Sequence, residues 1–482
     1  MNFWRRLSLR QRVLSLFFLH AGLLVIFVFF RYLDADEGLY LSAAREVFWG
    51  HRPYLDFMYV QTPYYPYFLA PLSHFGWSGL FFCRLISALA PLFTGALIFS
   101  LARRLWNEKT AFVLWGLWIL NGLVLVWGSV AKPAGWGDFF LFLGFWALAS
   151  ETGQRKIRFF FSGAAAGMGA NFRGFLLFPS AFWAALLLLQ KGHRAKNFLF
   201  WSLGFLAALS FSLYFIFQSP AAFFFNNYTY HQLWGNEVVA AGGQFGWVKR
   251  LTAIVRFLFF PQNFILYGLA LLGLLHRPLD AWRRKVLHLA FGTVAVLHLV
   301  FILSTPSMGQ YYAEALPYLA LLAGFGWNYL EERSSSWLVF LRKWGLGLAH
   351  VISLALVAYI FLFGQRSRDR EFIRPVVDYL ARKCNPADTV LSEWPGWAVL
   401  SGMQLPRGME TVGLDVTHLL SSKEKQAYRI LDSVGVDSLL TGKKVKWVVM
   451  GGVVAEHWPR PPSLNYTPAF RSGPVTVYRR NE

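Results

Sequence analysis

Asp34-Ala35-Asp36-Glu37-Gly38-Leu39-Tyr40-Leu41-Ser42-Ala43-Ala44-Arg45-Glu46 follows directly on the first long apolar run of the chain. Acidic residues are sparse over the first three quarters of the sequence, yet Asp34, Asp36, Glu37 and Glu46 cluster here. Carboxylates held where a membrane helix ends can act as bases or as ligands, so this stretch points to chemistry. It also has a structural reading. Asp34 or Asp36 can cap a helix beginning near Gly38, where a carboxylate satisfies free amide N–H groups. That helix would set Leu39, Ala43 and Val47 against Ser42, Arg45 and Glu46, which suits a helix lying along a membrane surface. Local sequence leaves capping and chemistry both open, and the two are compatible.

The surroundings are those of a membrane protein. Of the 482 residues 56% are hydrophobic and only 15% charged, against about 25% charged in a soluble domain. Apolar runs fall near 12–31, 78–101, 110–128, 137–150, 159–171, 174–190, 197–217, 257–275, 286–304, 313–330 and 344–364. The pattern predicts a polytopic α-helical membrane protein of about 11 spans or half-spans. The net charge of +21 is spread as short basic clusters between these runs, as cytoplasmic loops require, so it speaks for topology and lipid rather than nucleic acid. Cys83 and Cys384 have no metal-ligand spacing and imply no structural disulfide. The basic N-terminus leads into an apolar run without a small-residue cleavage site, which reads as an uncleaved signal anchor.

Arg5, Arg6, Arg10 and Arg12 put the N-terminus in the cytoplasm. The later clusters are Arg103/Arg104/Lys109, Arg155/Lys156/Arg158, Lys191/Arg194/Lys196, Arg277/Arg283/Arg284/Lys285 and Arg333/Arg342/Lys343. If all are cytoplasmic, 159–190 must cross and return within a short length. Its interruption at Asn171-Phe172-Arg173-Gly174 predicts two half-spans or a re-entrant hairpin. The opposite side then receives loop 32–77, the tail and several short loops. Residues 1–365 thus read as a membrane part, and 366–482 as a small soluble α/β domain. In the tail, helices are expected at Ile373–Lys383 and Lys423–Ser433, and strands at 389–392, 447–450 and 475–478.

Gly50-His51-Arg52-Pro53-Tyr54-Leu55-Asp56-Phe57 and Gln61-Thr62-Pro63-Tyr64-Tyr65-Pro66-Tyr67 follow the acidic stretch. Further on come Arg84-Leu85-Ile86-Ser87-Ala88, Asp138 opening a span, Asn171 through Pro179, and Tyr311-Tyr312-Ala313-Glu314-Ala315-Leu316-Pro317. Together these resemble GT-C membrane glycosyltransferases, a superfamily that includes protein O-mannosyltransferases and lipid A aminoarabinose transferases. The resemblance implies inverting transfer of a sugar from a polyprenyl-phosphate donor to a lipid, glycan or protein acceptor. It places that reaction on the outer face of a bacterial cytoplasmic membrane. It makes Asp36 the base that takes the acceptor's proton, with Glu37 and Asp138 as neighbouring acids. The leaving phosphate needs fixed cations, for which Arg45, Arg84, Lys132 and Arg173 are candidates, with Tyr311 and Tyr312 as further contacts. The plain alternatives are snorkelling to headgroups and an interfacial aromatic belt. A divalent metal at Asp36 and Asp138 is left open. One departure stands out: the aminoarabinose branch carries a lysine before the paired prolines of the first loop, where this chain has Gln61-Thr62-Pro63. That weakens any transfer of the branch's donor or phosphate ligands.

Two other functions share parts of this pattern. A transporter or flippase of lipid-linked sugars would have the spans and the broken segment 159–190, but needs neither the acidic loop nor the tail. A polymerase or ligase of surface polysaccharide would use the same class of lipid.

Overall fold

The computed structural model describes residues 6–150, 154–189, 194–240, 247–258, 261–275, 280–304, 307–332, 344–363, 372–385, 387–410, 416–442, 444–451 and 465–481. Arg5, Lys191, Arg277, Arg333, Arg342, Lys343 and the expected boundary near residue 365 lie outside them. Among the described residues five helices are long and apolar enough to cross a membrane: Leu9–Phe30, Gly76–Leu105, Arg194–Gln218, Ala281–Leu303 and Leu346–Phe363. Glu108–Ile119 and Gly122–Gly128 make a sixth if their pair, bent by 60°, is one broken span. The bend falls at Asn121, whose side chain accepts the backbone N–H groups of Leu123 and Val124 and so starts a second helix. Shorter apolar helices, among them Ala134–Ala149 and Gly174–Leu189, complete the bundle.

The interruption near Arg173 is real. Helix Arg155–Phe172 ends there, a 3₁₀ turn covers Gly174–Leu176, and Leu177–Leu189 follows. Asn171 anchors the break by donating to the Ala208 carbonyl at 2.6 Å. Helix Arg155–Phe172 lies against Arg194–Gln218 through Gly163 and Gly204. A Cβ on either would run into the other helix's backbone, the small-residue contact that lets membrane helices approach closely.

The tail forms a four-stranded sheet in the order β1-β2-β4-β3, with β1 Val390–Ser392, β2 Trp447–Met450, β3 Tyr466–Ser472 and β4 Val475–Arg480. β1 and β2 are parallel, and the other pairs are antiparallel. The expected helix at Lys423–Ser433 is instead two. Ser422–Ala427 stops at Tyr428, Arg429 has a positive φ, and Asp432 caps Ser433–Thr441. Cys83 and Cys384 are both buried free thiols.

Loop and tail share one core. Tyr40, Tyr54 and Tyr65 from the first loop, Leu80 and Cys83 from the following helix, and Trp397 and Val477 from the tail belong to the same buried cluster. This corrects the expectation of a helix that begins near Gly38 and lies along the membrane surface. The helix Ala35–Phe48 has Glu37 through Leu41 largely buried and Ser42 through Glu46 fully so. The reason is that the tail's helix Gly396–Ser401 covers its second face.

Candidate active site

The helix Ala35–Phe48 begins with a reciprocal cap. Asp34 accepts the N–H of Asp36 at 3.0 Å, and Glu37 accepts the N–H of Asp34 at 3.0 Å. The cap uses Asp34 and Glu37 and leaves the Asp36 carboxylate directed outward, 55% exposed. Lys132 reaches it from the loop before helix Ala134–Ala149. Its Nζ lies 2.7 Å from Asp36 Oδ2 and 2.8 Å from Asp34 Oδ1. Burial alone would pull this ammonium down, but the Asp36 and Asp34 carboxylates outweigh it and hold Lys132 above its ordinary value.

Asp36 and Lys132 open into a cavity of about 400 Å³. Asp138, Arg173, Tyr311 and Glu314 line it too. Arg173, the residue that ends helix Arg155–Phe172, pairs with Glu314. Its guanidinium stacks over the Tyr311 ring at 5.1 Å. One wall is apolar, with Leu123, Val124, Trp127 and Leu316 from the membrane helices. The cavity therefore joins paired acids and cations to a surface that suits a lipid chain.

Four of the expected site residues stand elsewhere. Glu37 and Arg84 are the scaffold's ion pair, at 2.7 and 2.5 Å, with side-chain exposures of 0% and 2%. Arg84 also donates to the carbonyls of Val28, Arg31 and Tyr32, and Glu37 accepts the N–H of Ala131. A guanidinium so committed holds the end of the first span to the loop, and this corrects its assignment to lipid phosphate. Arg45 is buried under the tail, donating to the Ala398 carbonyl at 3.2 Å and stacking on Trp49; burial pulls it down to about 10. Tyr312 points away from the cavity into the helix core, 3.3 Å from Ser307 Oγ.

Three acidic or histidine residues of the cavity have no role assigned from the sequence. Glu314 lies inside the quoted Tyr311–Pro317 stretch, and an acid entering an apolar run is itself a signal. His231, whose Nε2 contacts the Val60 carbonyl at 2.7 Å, lines the cavity from the first turn of helix Tyr230–Ala240. Glu393 comes from the tail, immediately after β1.

A metal does not fit these residues. Among the described residues no group of three or more His, Cys, Asp and Glu side chains could hold one. The ammonium of Lys132 already stands against the Asp36 oxygen such an ion would use.

In fold, the helix bundle and the tail packed on its first loop are similar to GT-C glycosyltransferases of known structure. The structure is similar to ArnT from Cupriavidus metallidurans, at a TM-score of 0.68 and 13% identity over 98% of both chains. The same protein bound to undecaprenyl phosphate aligns at 0.66 and 14%, again over 98% of each. The Archaeoglobus fulgidus oligosaccharyltransferase in complex with zinc and sulfate aligns at 0.54 and 14%, over 90% of this chain and 68% of that one. At these identities the likeness establishes the fold. No family model matches the chain. In sequence, 95 residues are 34% identical to GPI mannosyltransferase 1 of Saccharomyces cerevisiae, covering 20% of this chain and 23% of that one. A further 28% match to GPI mannosyltransferase 1 of Eremothecium gossypii spans 143 residues, 30% of this chain and 34% of the relative. The matched region thus spans about a quarter to a third of these curated relatives. Both are yeast proteins, which corrects the expected placement in a bacterial inner membrane; the multi-pass membrane character stands.

Proposed function

We propose that the protein is a glycosyltransferase that moves a sugar from a polyprenyl-phosphate donor to a hydroxyl-bearing acceptor, with inversion at the anomeric carbon. The observation that carries this reading is the single cavity in which Asp36, Lys132 and Arg173 meet an apolar wall. The ArnT complex with undecaprenyl phosphate supports a polyprenyl phosphate as the lipid. The curated relatives support mannose as the first sugar to try.

In this reading Asp36 accepts the acceptor's hydroxyl proton as its oxygen bonds to the anomeric carbon. The bond from that carbon to the phosphate oxygen breaks on the opposite face, and polyprenyl phosphate leaves with the electron pair. Lys132 and Arg173 stabilise the charge that collects on the phosphate. Tyr311 holds the Arg173 guanidinium in place, and Asp138 and Glu314 orient the acceptor and that guanidinium. Residues 1–365 make the catalytic part and 366–482 its cover, on the membrane side opposite the basic clusters. Glu37, Arg84, Arg45 and Tyr312 act only through the scaffold.

The test is turnover by the purified protein with polyprenyl-phosphate mannose and, in parallel, polyprenyl-phosphate arabinose. Release of polyprenyl phosphate that depends on added membrane extract supports transfer. Movement of the intact donor across a vesicle membrane without release would make it a flippase instead.

A further inference from the structure

In sheets with parallel strands, ligands meet the chain at the carboxyl ends of those strands. The tail's parallel pair turns that end toward the membrane cavity. Glu393 follows β1 directly, and Gly451 follows β2 directly. Glu393 Oε2 accepts the N–H of Gly451 at 3.1 Å, so one side chain ties the two strand ends together. Glu393 is only 2% exposed, yet with Trp394 and Pro395 it lines the cavity that holds Asp36.

Its frame is rigid. The Trp394 indole N–H donates to the Ala35 carbonyl at 2.7 Å, one residue before Asp36. The ring lies flush on Gly38, where an added Cβ would stand 2.6 Å from it. Glu393 is therefore fixed relative to the first turn of the helix that carries Asp36. The apolar wall belongs to Gly122–Gly128 and its neighbours, and in the transfer reading it takes the lipid chain of the donor. The side roofed by Glu393 is left for the reactant that does not come with that chain.

We infer that Glu393 anchors an acceptor subsite that the tail contributes to the cavity, its carboxylate accepting a hydrogen bond from a saccharide hydroxyl on the acceptor. The inference rests on the transfer reading above. Glu393 is then a positioning residue for the acceptor, and the tail takes part in choosing what is glycosylated.

Full-length wild type, Glu393→Gln and Glu393→Asp are compared in liposomes. Polyprenyl-phosphate mannose is saturating, and detergent extract of membranes from cells lacking the protein is titrated as the acceptor source. Glutamine keeps an oxygen for Gly451 but loses the charge. Glu393→Gln should raise half-saturation by extract about tenfold, the scale of one hydrogen bond to a charged group. Turnover at saturating extract, affinity for polyprenyl phosphate and melting temperature should hold. Glu393→Asp should recover part of the loss. Unchanged half-saturation in an active Glu393→Gln variant overturns the assignment alone, as does a rise that merely follows a fall in melting temperature. An inert wild type overturns the transfer reading and this assignment with it.

Discussion

The Nζ of Lys132 lies 2.7 Å from Oδ2 of Asp36. One ammonium thereby links the loop before helix Ala134–Ala149 to the first turn of helix Ala35–Phe48. It also reaches the capping residue Asp34, so a single cation serves both the helix start and the outward carboxylate. In the transfer reading the same ammonium is within reach of the phosphate as charge develops there.

Lys132→Met keeps the length and apolar stem of the side chain but removes the cation. Release of polyprenyl phosphate should fall by about 10² or more, the scale for losing one fixed electrostatic donor. Lys132→Arg should restore part of it. Wild-type rates in the Met variant would confine Lys132 to a structural role.

Glu37 and Arg84 should behave as a buried structural pair. Removing one partner strands the other charge, at a cost of about 3–5 kcal/mol. Glu37→Gln and Arg84→Ala should each lower the melting temperature sharply in detergent. The double replacement Glu37→Leu with Arg84→Met should regain much of the loss. A stable Glu37→Gln protein with abolished turnover would return Glu37 to the chemistry.

These two ion pairs mark where sequence reading stops. The apolar runs were legible because membrane helices need length and hydropathy, and each run overlaps a helix. The acidic stretch was legible because both capping and chemistry favour carboxylates at that point. Arg84, Lys132 and Arg173 look alike in one dimension, as isolated cations near span ends. Only folding reveals that Arg84 meets Glu37 in the scaffold, while Lys132 and Arg173 face the cavity. Strand β3 escaped because it is an exposed strand carrying Pro468 and a register shift, with little apolar alternation to announce it. The split at Tyr428–Asp432 escaped because Arg429 takes up a positive φ that its residue type does not signal.

Gly38 tests the docking of the tail. An added methyl would collide with the Trp394 ring, and overpacking of this kind costs about 1–3 kcal/mol. Gly38→Ala should insert normally but lose turnover, with faster proteolysis of the tail. Trp394→Leu in the same chain should relieve the collision. Full activity and an unchanged digestion pattern in Gly38→Ala would mean that the tail does not depend on this contact.

The tail and loop also meet at Glu410, where burial and then the neighbouring Glu46 push the carboxyl up to about 7. Because the folded value is raised, this group's contribution is fully present below its ordinary value of 4.5. It is lost as pH rises through about 7, and the loss is constant above that. The melting temperature should therefore decline between about pH 4.5 and 7 in wild type. Glu410→Gln, which cannot ionise, should flatten that decline. An identical slope in the variant would assign the pH dependence to other groups.

Asp36 carries the central claim, and one paired measurement addresses it: the rate of polyprenyl-phosphate release and the affinity for the donor lipid in wild type and Asp36→Asn. Asparagine preserves shape but cannot take a proton, and loss of a general base costs about 10²-fold or more. Such a fall in release rate is expected, with donor affinity and melting temperature unchanged. Release at the wild-type rate by a folded Asp36→Asn protein would contradict it.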